Sequence, residues 1–374
     1  MASLRSSRVS SALRPYQVVA VCTLTAIVVL GSTLASLRGS TSFNLFFSDP
    51  LRFPHAADAA QPSTLFADRR NFLNALFVKR VWAWTTLAFG AQAVVLRRPW
   101  SKLLQRASGE GQPGANDPLV RSILRFIIAT VAWVFCTSWF LGPSLVDRTF
   151  MLTGGHCRLD VAGTSIRIPA ELCRTRAAIS YETHPQLFQV EGFNTADFDT
   201  SSLKDLLPRL RGGVDMSGHT FLLVLVILFM LEEITPFLPY LFLRLPAAIR
   251  PSKALIESLI PRSLWASLDP FHPAPTSSSA PNGRNGSGSR PTSSTSVKDN
   301  LLASLSRPHI QAQLTAGGVL MHIGLSLWML LMTQLYFHTL AEKIAGLVIG
   351  VLSWYALPKD EAPSRPPASA NKAR

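Results

Sequence analysis

Several separate stretches of this chain are apolar for long enough to cross a bilayer, and that constrains its fold more than any motif does. A crossing helix needs roughly 20 predominantly apolar residues, and backbone in lipid must satisfy its own hydrogen bonds, which leaves helices or closed barrels. Composition agrees. Of 374 residues, 48% are hydrophobic and only 16% charged, where soluble domains carry about a quarter charged. The formal net charge of +14 is not a nucleic-acid signal, because the arginines flank apolar segments and form no basic face interleaved with aromatics. The expected class is an all-α polytopic integral membrane protein with no nucleic-acid partner.

Six transmembrane helices are expected. The first, Tyr16–Leu37, follows a tail (1–15) with Arg5, Arg8 and Arg14, and exceeds the roughly 7–15-residue apolar core of a cleaved signal peptide. The others are Phe77–Leu96, Ile123–Leu141, His219–Phe242, Leu314–Tyr336 and Glu342–Tyr355. Trp82 and Trp84 stand where an interfacial aromatic belt would place them. Spans one to four thus occupy 16–242 and spans five and six 314–357. Basic residues in the connections at 97–121 and 243–313, and in the tail 358–374, place both termini in the cytosol. The long loop 142–218 then faces the lumen. The Ser/Pro/Gly-rich insert 273–296 and the tail after Pro358 cannot bury a core and read as disordered. Cys157 and Cys173 are candidates for a disulfide in an oxidising lumen, whereas Cys22 and Cys136 read as buried apolar residues.

This topology sets two histidines at one depth. His219 opens span four from the lumenal loop, and His338 lies in the short turn between spans five and six. His322 is roughly 24 Å down the helix from His338 and reads as a helix contact. A metal would need further ligands; His156 and Cys157 are at hand, but without ligand spacing, so neither metal nor other cofactor is expected. The alternative is phosphoryl chemistry. Ser217 and Gly218 stand where the helix begins, and a helix start attracts phosphate. One histidine could attack phosphorus while the other protonates the leaving oxygen. Glu342, one turn after His338, could fix its tautomer. The plainer reading is that Ser217 only caps and the histidines only mark the interface.

At these residues the sequence resembles the fat storage-inducing transmembrane (FIT) family. The resemblance rests on "GGVDMSGHTFLL…EE" (from Gly212), "NFLNALFVKRVWAWT" (Asn71–Thr85) and "YFHTLAEKIAGLVIGVLSWY" (Tyr336–Tyr355), three blocks in order. The serine-rich insert is compatible with a fungal member. The resemblance implies six spans, residence in the endoplasmic reticulum, kinship with lipid phosphatases and support of lipid-droplet formation. It also implies a lumenal diphosphatase that cleaves fatty acyl-CoA to acyl 4′-phosphopantetheine and adenosine 3′,5′-bisphosphate. On that pattern His338 is the nucleophile, His219 the general acid, Ser217 and Gly218 phosphate contacts, and Glu342 the supporting carboxylate. The Ser-Arg pair that lipid phosphatases carry before the nucleophile is replaced by Leu331 and Met332. Lys343, Arg148 and Arg211 are the remaining candidates to hold phosphate. The rival readings are a non-enzymatic protein that binds diacylglycerol or triacylglycerol and a lipid phosphate phosphatase.

Glu232 and Glu233 lie roughly 20 Å beyond His219, too deep for that chemistry. Carboxylates within a span are functional candidates by default. The expectation is nonetheless that Pro236 and Pro239 thin the helix and leave both near the cytosolic interface. Gly346 and Gly350 are expected to let span six pack closely.

Overall fold

A computed structural model of the chain describes residues 13–37, 71–108, 117–137, 145–161, 164–175, 178–188, 206–213, 216–266 and 307–360. The expectations for residues 1–12, for the insert 273–296 and for the tail beyond 360 lie outside the described residues. The helices are α1 (Pro15–Leu37), α2 (Phe72–Leu76), α3 (Val81–Gln92), α4 (Arg98–Ser108), α5 (Pro118–Thr137) and α6 (Leu145–Leu152). They continue with α7 (Ala170–Thr175), α8 (Gly218–Ile234), α9 (Leu238–Leu243), α10 (Lys253–Leu259), α11 (Pro308–Tyr336) and α12 (Leu340–Tyr355).

Among the described residues, four helical segments have the length and apolarity to cross a membrane: Pro15–Ala35, Pro118–Thr137, Gly218–Leu243 and Pro308–Tyr336. The other two expected spans differ in form. Phe77–Leu96 is a 3₁₀ turn (Val78–Arg80), then α3, then a π turn (Ala93–Arg97) that runs into α4. The π turn widens the helix locally, and the two residues it buries are Leu96 and Arg97. α12 is regular but has only 16 residues.

The helix α8 is the axis of the bundle. It is apolar on every face, the pattern of a helix surrounded by protein, and 89% of its most apolar window is buried, against 22–39% for the other three. α12 crosses it closely, because a Cβ at Gly346 would come within 2.7 Å of the Ser217 carbonyl oxygen, and one at Gly350 within 2.8 Å of Val224. Gly346 and Gly350 are therefore packing glycines, as their spacing predicts. An aromatic cluster joins α3, α5 and α8, with Phe89 stacked on Phe126 at 4.5 Å and Trp82 between Phe126, Trp133 and Phe229. Trp82 is thus core and not belt; Trp84 is the exposed one, donating to the Leu76 carbonyl. Cys136 is buried as expected, but Cys22 is exposed. His322 is a helix contact: Thr85 meets its Nε2 at 3.0 Å and Phe77 packs edge-on.

The fold is mostly helical but not all-α. Residues 142–218 contain an antiparallel sheet in the order β2–β1–β3, with β1 His156–Val161, β2 Thr164–Ile168 and β3 Arg209–Arg211. Alternation in β1 buries Cys157, Leu159 and Val161 on one face, where they meet Ile166, Ile168, Cys173, Ile179 and Phe188. Cys157 and Cys173 form a disulfide, with Cα atoms 5.9 Å apart. This sheet was not expected because its strands are short and half of their residues polar.

Glu232 and Glu233 are enclosed by protein. The helix passes Pro236 through a 3₁₀ turn (Thr235–Phe237) into α9, and both carboxylates are buried. Glu233 accepts from Arg125 Nε and the Ser122 hydroxyl, both at 2.5 Å, and pairs with Arg97 Nε at 3.2 Å. Both arginines also reach Asp360, at 3.0 Å from Arg97 and 2.9 Å from Arg125. Glu232 accepts from Tyr16 and Gln17 of α1, each at 3.0 Å. Asp360 stands in the segment expected to be a disordered tail; it is buried because two arginines in an apolar bundle need a second carboxylate.

Candidate active site

At the opposite end of α8 the chain leaves β3 through Gly212 (φ +86) and Gly213. A side chain at Gly213 would strike the Phe150 carbonyl of α6, so the turn into α8 depends on the bare glycine. Ser217 then caps the helix, its Oγ accepting from the Thr220 amide at 3.2 Å. Ser217 is fully buried, and its hydroxyl meets Thr220 Oγ1 at 2.9 Å. It is a cap in this arrangement and has no open face. A Cβ at Gly218 would meet nothing within 4 Å, so the first turn of α8 borders open space there. His219 follows, half-buried.

His338 occupies the turn between α11 and α12 at φ +62, the left-handed region that side chains rarely adopt. Three contacts fix that turn. The Phe337 amide closes α11 on the Thr333 carbonyl. Thr339 and Glu342 form a reciprocal capping box at the start of α12. Lys343, also buried, donates from Nζ to the Gln334 carbonyl at 2.7 Å. The T-x-x-E spacing of Thr339 and Glu342 was legible in the sequence; the Lys343 bond was not.

Glu342 has two tasks. Its Oε2 accepts from the Thr339 amide at 2.8 Å and lies 3.3 Å from His338 Nδ1. An ionised carboxylate only accepts, so the proton sits on Nδ1, and the Nε2 lone pair of a neutral imidazole is left for chemistry. The main chain of the same residue joins the two histidine segments, since the Ser217 amide donates to the Glu342 carbonyl at 3.1 Å. Gln334 completes the connection by donating from Nε2 to Thr220 Oγ1 at 3.2 Å. The result is a closed ring through Ser217, Glu342, Lys343, Gln334 and Thr220, which staples α8, α11 and α12. His219 lies between Ser217 and Thr220 in sequence, and His338 between Gln334 and Glu342.

Sequence reasoning missed Gln334 and Thr220, both fully buried, because nothing in their spacing marks them. Lys343 is engaged with the turn. Arg148 is exposed on α6, and Arg211 ends β3, six positions before Ser217. The Cys157 sulfur belongs to the disulfide, so it is no thiolate ligand. Among the described residues no three of His, Cys, Asp or Glu converge as a metal group would require.

Comparison with known proteins gives consistent matches. The family model described as "Fat storage-inducing transmembrane protein" matches residues 62–357. A relative named acyl-coenzyme A diphosphatase fit1, from Schizosaccharomyces pombe, is 32% identical over 171 residues, 46% of this chain and 50% of the relative. Acyl-coenzyme A diphosphatase SCS3 of Saccharomyces cerevisiae is 35% identical over 107 residues, covering 28% and 25%. Human acyl-coenzyme A diphosphatase FITM2 is 24% identical over 315 residues, covering 83% and 79%. The chain thus aligns with half of the fission-yeast relative's length. No solved structure matches.

Proposed function

The chain belongs to the fat storage-inducing transmembrane family, and from that premise we propose that it is a fatty acyl-CoA diphosphatase with His338 as nucleophile and His219 as general acid. One observation carries the assignment of roles. His338 Nδ1 is turned to Glu342, and the Glu342 carbonyl receives the Ser217 amide at the foot of the helix that bears His219. A histidine that merely marked an interface would need neither an orienting carboxylate nor a left-handed backbone.

In the proposed reaction the Nε2 lone pair of His338 forms a bond to one phosphorus of the pyrophosphate. The bond from that phosphorus to the bridging oxygen breaks, and the leaving phosphate takes a proton from His219. Water then attacks the phosphohistidine, the P–N bond breaks, and His219 accepts the water proton. The products are acyl 4′-phosphopantetheine and adenosine 3′,5′-bisphosphate. The first turn of α8, open at Gly218, offers its dipole to the phosphates, with Ser217 holding that turn in shape. No cofactor enters this scheme. The finer topology belongs to the same proposal: six crossings, with α3 and its π turn as the second and α12 as the sixth, in the endoplasmic reticulum membrane. Both termini are cytosolic and the histidines lumenal, where the product supports lipid balance and droplet formation.

The test is mass spectrometry of purified protein turning over oleoyl-CoA. His338→Ala should be inactive. His219→Ala should lose about 10²–10⁴-fold with the natural leaving group, and less with a leaving group that needs no proton. If both variants fold and cleave oleoyl-CoA at the parental rate, the enzyme reading fails and diacylglycerol or triacylglycerol binding replaces it. Cleavage of a lipid phosphate instead would make the protein a lipid phosphatase.

A further inference from the structure

The disulfide-bonded sheet carries an arrangement that its own stability does not explain. Alternation buries the apolar residues on one face, leaving His156, Arg158 and Asp160 of β1 on the other. Arg158 stands directly opposite Arg167 of β2 and Arg209 of β3, so three arginines share one register across the sheet. Arg211 stands opposite His156 in the neighbouring row, toward α8. Like charges directly opposite in a sheet are destabilising. Among the described residues no carboxylate pairs with Arg158 or Arg167, and Asp160, farther along β1, receives the Ser165 hydroxyl at 2.9 Å. Arg158 Nε donates to His156 Nε2 at 2.6 Å, which engages one edge of the guanidinium and leaves its two terminal nitrogens as donors. Arg167 is exposed.

The basic end of the sheet is also the end tied to the candidate active site. Gly155, just before β1, and Gly213, just after β3, both press on Phe150. Gly213 is four positions from the Ser217 cap, and a chain of that length reaches at most about 14 Å. The sheet is therefore joined to the start of α8 by a short connection.

We propose that this face, through Arg158 and Arg167, is a subsite for the phosphorylated ribose of coenzyme A. It takes the 3′-phosphate while the pyrophosphate lies at the histidines. The inference rests on the acyl-CoA reading above and adds a reason for the enzyme to prefer coenzyme A over its 3′-dephospho form. Arginine suits that ligand because its planar fork matches a phosphate dianion.

The decisive measurement is equilibrium binding to the full chain in lipid nanodiscs, which needs no turnover. The parental protein should bind adenosine 3′,5′-bisphosphate about tenfold or more tightly than adenosine 5′-monophosphate, the yield of one or two charge-assisted hydrogen bonds. The double variant Arg158→Gln/Arg167→Gln should bind the two alike, and the single exposed change Arg167→Gln should fall between. Arg262→Gln, an exposed arginine paired with Glu257, should keep the parental preference and so controls for general charge. In turnover, the ratio of kcat/KM for oleoyl-CoA over oleoyl-3′-dephospho-CoA should fall toward one in the double variant. A parental protein without the preference, or a double variant that retains it, overturns the subsite. So does a double variant whose only deficit is binding to vesicles of anionic phospholipid. If the preference stands while His338→Ala turns over oleoyl-CoA normally, the subsite holds and the catalytic assignment falls.

Discussion

His338 combines a left-handed backbone, an imidazole held by Glu342 and a position one residue before a helix cap. Non-glycine residues in that conformation carry about 1–3 kcal/mol of strain, which persists only where the surroundings over-determine it. The ring through Ser217, Glu342, Lys343, Gln334 and Thr220 supplies that over-determination, and its weakest member to probe is Thr220. Thr220→Val keeps the shape of the side chain while removing the acceptor for Gln334. A misplacement of about 1 Å can cost on the order of a hundredfold in rate, so kcat should fall by about tenfold or more with KM little changed. Thr220→Ser, which retains the hydroxyl, should recover most of it. A Thr220→Val enzyme with parental kcat would show that the ring does not position the histidines. At this scale His219, His338 and Glu342 are legible in the sequence because a motif and a one-turn spacing mark them. Gln334 is not, because its role comes from meeting α8 across the bundle.

Among the elements, α12 is held at both ends. Its first turn is bound to Ser217, and the chain beyond it is bound through Asp360 to Arg97 of the π turn and Arg125 of α5, with Arg14 of the segment before α1 donating to the Asp360 carbonyl. Asp360→Asn leaves two buried arginines with Glu233 as their one carboxylate in the cluster. Breaking such a network by removing one partner costs about 3–5 kcal/mol, which should appear as a lowered Tm in detergent. Glu233→Gln should act similarly, in stability and yield more than in turnover. A folded Glu232→Gln/Glu233→Gln protein of parental Tm, with turnover reduced a hundredfold, would instead give the pair a catalytic role. The pH dependence follows from the same contacts. Burial alone would raise the Asp360 carboxyl, but Arg97 and Arg125 hold it well below the usual carboxylate range. Its contribution is therefore present above the unfolded value near about 4 and is lost only as the pH falls through the depressed folded value. The Tm gap between parental and Asp360→Asn proteins should stay constant between about pH 5 and 8. A gap that closes already near neutrality would mean that the arginines do not hold this carboxylate.

For the whole molecule, the two ends of α8 do different work: a hydrogen-bonded ring with the histidines at Ser217, and a buried ionic cluster at Glu233. The proposed topology puts the first end in the lumen. Asn-X-Thr sites engineered into 142–217 should be glycosylated, and sites engineered into 273–296 should not. The reverse pattern would turn the protein over in the membrane. The disulfide makes a second test of sidedness, because Cys157 and Cys173 should resist a thiol reagent in intact microsomes until reductant is added. Ready labelling without reductant would remove both the bridge and the oxidising compartment.

The sequence by itself determined that the chain is a membrane protein, where its long helices lie, that α8 is apolar on every face, and that two histidines have motifs around them. These are local properties, written in hydropathy, spacing and caps. Tertiary structure alone decided the rest. Arg97 and Asp360 fall in segments that read as a solvated loop and a tail, because charge in isolation favours water, and Arg125 falls inside the third apolar span; only their mutual neutralisation with Glu233 makes burial tolerable. Trp82 read as an interfacial residue until Phe126, Trp133 and Phe229 closed around it. The strands of 156–211 are too short and too polar to announce a sheet, and it is their register, which no local pattern specifies, that sets the arginines side by side.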